Sequence, residues 1–279
     1  MKKGIAILLT MAMVFTLAGC SSSSSTESSE ASTETADTSE EEGEKEEEQT
    51  DSEYVKEKGS LVVGITDFEP MDYKDDDGNW IGFDADMATK FAEKLGVDVE
   101  FVEIDWDNKI LEINNKSIDC VWNGMTLTDE VTSAMDCSNA YSRNSQVVVV
   151  PKDKKDADIT TLSFAVEAGS AGETAADDNG LDYTSVESQA NALMEVAAGT
   201  SDGAIIDLLM ADAMVGEGTS YEDLTQGEVL VDEEYGVGFR KGSDLVEQLN
   251  DFFVTSYTDG TMDELGEKYG IEDSSIIAQ

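Results

Sequence analysis

The sequence predicts an α/β fold with mainly parallel strands. Three observations carry this. From about Tyr54 to Gln279, short apolar runs of strand length alternate with stretches whose apolar residues recur at helical spacing. Only two prolines occur in 279 residues, so the connections are set by Gly, Asn and Asp. The stretch is about 225 residues long, enough for one large domain or two lobes of ordinary size.

The elements follow in order. Leu61 to Ile65 reads as a buried strand. Met87, Ala88, Phe91, Ala92 and Leu95 line one face of a helix that Gly96 stops. Val97 to Ile104 alternates apolar and polar residues, as a half-buried strand does. Asn108 to Asn115 is a short helix and Ile118 to Trp122 a strand. Gln146 to Val150 is strongly β-prone. The alternation resumes with a strand over Leu162 to Val166, a helix over Ala171 to Asp178 and a strand over Tyr183 to Val186. A helix over Ser188 to Ala198, a strand over Asp202 to Ile206 and a helix over Leu208 to Val215 follow. Tyr235 to Phe239 is the last strand, and helices over Asp244 to Tyr257 and Met262 to Tyr269 close the chain. In such sheets ligands sit beyond the carboxyl ends of strands, where loops meet helix N-termini.

The first 53 residues are of another kind. Lys2 and Lys3 precede an apolar run from Ile5 to Leu17. At about a dozen residues it is too short to span a bilayer, which needs roughly 20, but it suits the core of an export signal. The run ends at Leu17-Ala18-Gly19-Cys20, which resembles the bacterial lipobox, where the signal (residues 1–19) is cut before a lipid-modified cysteine. Cys20 is therefore the expected lipid anchor, and more than one acyl chain makes such an anchor stable. Residues 20–53 are rich in Ser and Glu and almost devoid of apolar side chains, which predicts a disordered, charge-extended tether. Fully stretched it reaches at most about 110 Å. The expected location is the outer face of the cytoplasmic membrane.

Composition excludes several functions. The chain has 62 acidic and 17 basic residues, a formal charge of −45. Nucleic acid is not an expected partner, because binding it needs basic patches. There is no histidine, which removes Ser-His-Asp and Cys-His catalysis and histidine-ligated zinc. Cys120 and Cys137 fit no metal-binding spacing. A disulfide between them is permitted outside the cytoplasm, and so are two free thiols in apolar strands. No cofactor or metal is expected.

A set of segments then carries a family resemblance. They are Leu61 to Gly64, Phe68-Glu69-Pro70-Met71, Ile81-Gly82-Phe83-Asp84-Ala85-Asp86-Met87, and Ile118 to Thr128 with its Trp122-Asn123-Gly124-Met125-Thr126 centre. Val166-Glu167-Ala168-Gly169-Ser170, Ser201 to Asp207 and Tyr235 to Asp244 complete the set. Together, over nearly the whole body, they resemble the polar amino-acid-binding proteins of ABC importers, the family 3 extracellular solute-binding proteins, in lipoprotein form. No one segment is specific alone. The resemblance implies a two-lobe, type II periplasmic-binding-protein-like fold. Lobe one is residues 54–141 and 238–279, lobe two is residues 146–234, and the hinge strands are 142–145 and 235–237. It further implies a monomer that closes on a small polar solute and presents it to permease subunits in the membrane.

The resemblance also implies site residues. Phe68 and Trp106 match positions where aromatic rings sandwich the ligand, although core filling is the ordinary use of an aromatic. Gly124 and Thr126 match the loop that meets the ligand's polar head. Gly169 and Ser170 match a second loop whose amide groups meet a carboxylate. Asp207 matches the acid that receives the ligand's ammonium; as the first residue before a helix it also reads as an N-cap. The sequence departs from the family at one place: the arginine that grips the ligand carboxylate is Val131 here, and a second basic position is Glu167. Only two arginines exist. Arg240 reads as a surface residue, and Arg143 lies in the first hinge strand. Three arrangements fit the departure. Arg143 takes over as anchor, or amide groups alone hold an amino acid, or the ligand is an amine or cation without a carboxylate.

Two other function classes are conceivable on this fold. An enzyme on this fold, such as a cyclohexadienyl dehydratase, would need a carboxyl tuned for catalysis, and none stands out in the sequence. A sensor lobe would need a membrane span after the body. The expectation is a non-enzymatic binding protein that delivers an amino acid to a permease.

Overall fold

The computed structural model describes residues 49–271 and 275–279. The signal segment, Cys20 and the tether up to residue 48 lie outside the described residues.

The elements, in chain order, begin with α1 (Asp51–Lys58), β1 (Ser60–Ile65), the short β2 (Tyr73–Lys74) and β3 (Trp80–Ile81), α2 (Phe83–Leu95) and β4 (Asp98–Glu103). A single 3-10 turn over Trp106–Asn108 leads into α3 (Lys109–Asn114), then β5 (Cys120–Thr126), α4 (Asp129–Ala134), β6 (Asp136–Cys137) and β7 (Ser142–Pro151). Next come β8 (Ser163–Glu167), α5 (Ala171–Asn179), β9 (Asp182–Val186), α6 (Gln189–Ala198), β10 (Gly203–Asp207), α7 (Leu208–Met214), β11 (Leu224–Phe239), α8 (Leu245–Thr258) and α9 (Thr261–Tyr269).

The sheet runs β4-β1-β5-β11-β7-β10-β8-β9. β1 pairs in parallel with β4 and β5, and β8 in parallel with β9 and β10. Between these parallel groups run two long antiparallel strands. β7 pairs with β11 from Leu224↔Pro151 to Tyr235↔Ser142, and β11 then continues along β5 to Phe239↔Cys120. The two strands therefore cross from one α/β group to the other, which makes this the two-lobe type II fold. β1 and β10 are buried along almost their whole length, as strands covered on both faces must be.

Three expectations need correction. The expected tether reaches into an ordered helix. Thr50 and Glu53 form a capping box on α1, Val55 is fully buried, and Asp51 pairs with Arg240 at 2.9 Å. Arg240 is accordingly not a surface residue. It is 7 % exposed, donates to the Ile118 carbonyl at 2.9 Å and lies 3.5 Å from buried Asp119, to which Lys58 also bonds at 2.5 Å. Its burial follows from this concentration of acids, which offsets the desolvation of a guanidinium. The strands β7 and β11 are far longer than their apolar segments. Residues 224–234 are mostly half-exposed or exposed and carry too little apolar patterning to announce a strand. Of the two arrangements open to the body's cysteines the structure has the free one: Cys120 and Cys137 are both unbridged. Residues 238 and 239 of β11 pair with β5 on one side and β6 on the other, so a strand lies between the two thiols. Two strand spacings of about 4.8 Å exceed the reach of a disulfide.

Candidate functional site

The loops at the carboxyl ends of β5, β8 and β10 meet between the lobes around an enclosed cavity of about 40 Å³. That is room for only a few water molecules. Larger grooves exist on the outside, but this cavity is where buried polar groups converge. The lobes touch at its rim: a Cβ on Gly169 would come within 2.8 Å of the Asp107 Cα across the cleft, so only glycine fits, and its φ of +68° suits it as well.

The wall from the β8–β10 lobe is acidic. Asp207, at the end of β10, is 4 % exposed. It makes no side-chain cap to α7. Its oxygens instead accept from Asn144 Nδ2 at 2.5 Å, Gln189 Nε2 at 2.5 Å and the Tyr235 hydroxyl. Asn144 Oδ1 caps α7 in its place, accepting from the Leu209 N–H at 3.1 Å. Asn144 Nδ2 and Gln146 Nε2 also donate to Glu233 Oε1, at 2.6 and 2.9 Å. Asn144 faces Glu233 in register, so this network sits on the two crossing strands. Burial and the nearby Asp207 charge push the Glu233 carboxyl well above its ordinary range, and burial raises Asp207 too.

Glu167, at the end of β8, is 2 % exposed, and burial raises its carboxyl to about 8. Its Oε1 has no hydrogen-bond partner among the described residues. At neutral pH it is a neutral acid that carries a proton.

Gly169 and Ser170 line the cavity, but their amide groups do not wait for an anion. The Gly169 N–H donates to Glu173 Oε2 at 2.7 Å, and the Ser170 N–H to the Glu167 carbonyl at 3.3 Å. Ser170 Oγ caps α5 by accepting from the Glu173 N–H at 3.1 Å. The expected carboxylate nest is filled by the chain's own Glu173.

The facing wall comes from β5, α4 and the 3-10 turn before α3. Gly124 has φ +55°, and an added Cβ would lie 2.5 Å from Phe68 Cε1. Its N–H donates to Asp84 Oδ2 at 2.7 Å, an atom that also accepts from the Tyr141 hydroxyl at 2.7 Å. Thr126 and Thr128 line the cavity, and Thr128 Oγ1 accepts from the Val131 N–H at 3.2 Å. Val131 lines it too, 4 % exposed, and packs in one apolar cluster with Trp106. Trp106 is thus both cavity wall and core.

The structure brings together six of the expected residues, Trp106, Gly124, Thr126, Gly169, Ser170 and Asp207, and leaves out two. Phe68 is a buried core residue that supports Gly124 from behind and meets Tyr235 edge-on at 6.3 Å. Arg143 is exposed and lines grooves on the outside with Leu208 and Ser275. The reason is strand alternation: Asn144 and Gln146 of β7 point to the Asp207–Glu233 side, which turns Arg143 away from it. Arg143 does not line this cavity.

One lining residue escaped the sequence reading. Lys109, 7 % exposed, is the basic side chain that lines the cavity. Its Nζ donates to the Gly169 carbonyl across the cleft at 2.8 Å and to the Trp106 carbonyl at 3.2 Å, and it lies 5.0 Å from the Trp106 ring centroid. The available signal was its place three residues after Trp106, one turn on, in a chain otherwise acidic here.

Comparison with known proteins gives a consistent result. Residues 61–272 match the family model for bacterial extracellular solute-binding proteins, family 3. The chain is 29% identical to the L-cystine-binding protein TcyJ of Escherichia coli strain K12 over 224 residues, covering 77% of this chain and 84% of that protein. Among solved structures, a mutant of ArgBP from T. maritima is 31% identical, with TM-score 0.74 over 80% of this chain and 100% of that one. An ABC uptake transporter substrate-binding protein from Streptococcus pneumoniae with bound histidine is also 31% identical, with TM-score 0.73 over 80% and 96% of the two chains.

Proposed function

The chain belongs to the bacterial extracellular solute-binding proteins, family 3, and on that premise we propose that it captures a free amino acid between its lobes for delivery to an ABC permease. The observation that carries this reading is the polarity of the cavity. A wall of buried acids, Asp207 and Glu167, faces a wall with one amine, Lys109, and an aromatic ring, Trp106. An amino acid is a zwitterion with a side chain, and it needs a negative pole, a positive pole and an apolar surface. The names of the relatives, which bind cystine and histidine, support the same class. The site comprises Trp106, Lys109, Gly124, Thr126, Gly169, Ser170, Glu167 and Asp207. Phe68 acts through Gly124.

A second reading has an observation in its favour. Even with Glu167 protonated, Glu130 and Asp207 outnumber Lys109 at the cavity, which suits an amine or a second cationic group on the ligand. A thermal-shift screen of the amino acids, cystine and their decarboxylated amines separates the two, because a ligand that binds only the native state raises the melting temperature. The amino-acid reading expects the largest rise with an amino acid. A larger rise with an amine overturns it.

In this reading residues 54–141 with 238–279 and residues 146–234 are the lobes, and 142–145 with 235–237 the hinge. The protein acts as a monomer outside the cytoplasmic membrane, held there by a lipid on Cys20. Among the described residues no helix is long and apolar enough to cross a membrane. Cys20→Ala is expected to move the protein from the detergent phase to the aqueous phase with its melting temperature unchanged. Retention in the detergent phase removes the anchor from the account.

A further inference from the structure

The positive end of the cavity rests on one side chain. Lys109 opens α3, and its ammonium has three N–H donors. One goes to the Trp106 carbonyl at 3.2 Å and one, across the cleft, to the Gly169 carbonyl at 2.8 Å. That leaves one donor for an acceptor in the cavity that Lys109 lines. Three neighbouring backbone donors are committed elsewhere: Gly169 N–H to Glu173, Gly124 N–H to Asp84, and Val131 N–H to Thr128. Val131 adds only methyl groups, and Arg143 faces outward.

We propose that Lys109 is the specificity-determining residue of this protein, holding the ligand's carboxylate through its third N–H while its bond to the Gly169 carbonyl ties that capture to contact between the lobes. The inference rests on the amino-acid reading and deepens it. An ammonium is a compact point charge, so it grips one carboxylate oxygen and selects by charge more than by planar shape, unlike an arginine fork. The cost of burying it is visible. Burial pulls the Lys109 pKa down, against the pull of Glu130, Glu167, Asp107 and Glu173. A ligand carboxylate supplies a counter-charge at the atom that is most desolvated. The ammonium that would meet the carboxylate is the same group that bonds the Gly169 carbonyl at 2.8 Å, which places the capture where the two walls touch.

The test compares each amino acid with its decarboxylated amine by calorimetry, in the wild type, in Lys109→Met and in Lys109→Arg. The pair used is the one whose amino acid gives the largest thermal shift, for example L-arginine with agmatine or L-histidine with histamine. The wild type is expected to prefer the amino acid. In Lys109→Met that preference falls by about tenfold to a hundredfold, the worth of one charge-assisted hydrogen bond, while the amine's affinity holds or improves. Lys109→Arg keeps the preference. The ratio is taken within each variant, so a partly unfolded preparation changes the active fraction and not the ratio. If Lys109→Met does not fold, Lys109→Gln serves in its place. An undiminished preference in the neutral variant overturns the role of Lys109 and leaves the amino-acid reading standing. A wild type that prefers the amine, or binds no amino acid, overturns both.

Discussion

The two walls of the cavity carry opposite charge and are held in opposite ways. On the β8–β10 side, Asp207 is fixed by Asn144, Gln189 and Tyr235, and Asn144 and Gln146 reach on to Glu233 across the crossing strands. That pole is a network in which each side chain constrains the next. On the facing side, which also carries the exposed Glu130, the positive charge is one lysine on a flexible stem, steadied by two carbonyl oxygens and the Trp106 ring. The acidic wall is preorganised and belongs to the hinge. The basic wall is a single contact that bridges the lobes. In the proposed reading the first receives a ligand's cation and the second its anion.

Raising the pH stresses the acidic wall selectively, and this is the largest effect expected. Glu167 titrates at about 8 in the fold and near 4.5 when unfolded. Between those values the native state holds a proton that the unfolded state has lost, so stability falls as pH rises from about 5 to 8 and is fully present only below that window. Glu167 alone contributes on the order of 4 kcal/mol across it, and Asp84, raised to about 7 by burial, adds to the same trend. Urea melts of the ligand-free protein at pH 5 and pH 8 check this. Equal stability at the two values would mean that Glu167 is already ionised in the cavity.

Asp207→Asn comes next. It removes the charge at nearly constant shape and turns an acceptor into a donor facing the Asn144 and Gln189 amides. Truncating one side of a desolvated charge pair loses about 2–5 kcal/mol of binding, measurable by calorimetry. Wild-type affinity in this variant would transfer the negative pole to Glu167. The smallest effect is expected at Arg143, which lies on the outside of the same strand. Arg143→Ala should change amino-acid affinity by less than about 0.5 kcal/mol, as surface substitutions do. A tenfold loss would reopen its case as an anchor.

Much of this molecule was legible in its sequence, for identifiable reasons. Buried parallel strands such as Leu61 to Ile65 and Ala204 to Ile206 announce themselves by unbroken apolar runs. Helices such as α2 do so by spacing. Asp207 and Gly124 were singled out by the family resemblance instead; Asp207 ends β10, and Gly124 lies within β5, two residues before its end. What failed were properties set by partners far away in sequence. Residues 224–234 of β11 look like loop because pairing with β7, and not an apolar face, holds them. Arg240 looks exposed until Asp51 and Asp119 arrive from elements more than a hundred residues away. Arg143 was considered as an anchor and Lys109 was overlooked. Both are basic residues near the cleft, and strand alternation on β7 and the helical turn after Trp106 point one outward and the other in. The filling of the Gly169 nest by Glu173 was likewise invisible, since a Glu at the third position of a helix is unremarkable on its own.

The central claim is that the cavity between the lobes is an amino-acid site with its poles at Asp207 and Lys109. A crystal structure grown with the amino acid that gives the largest thermal shift tests it most directly. The account predicts the ligand enclosed in that cavity, its carboxylate at hydrogen-bond distance from Lys109 Nζ, about 2.7–2.9 Å, and its ammonium directed at the Asp207 wall. A ligand bound in the outer groove beside Arg143, or one lying in the cavity with its carboxylate away from Lys109, would contradict it.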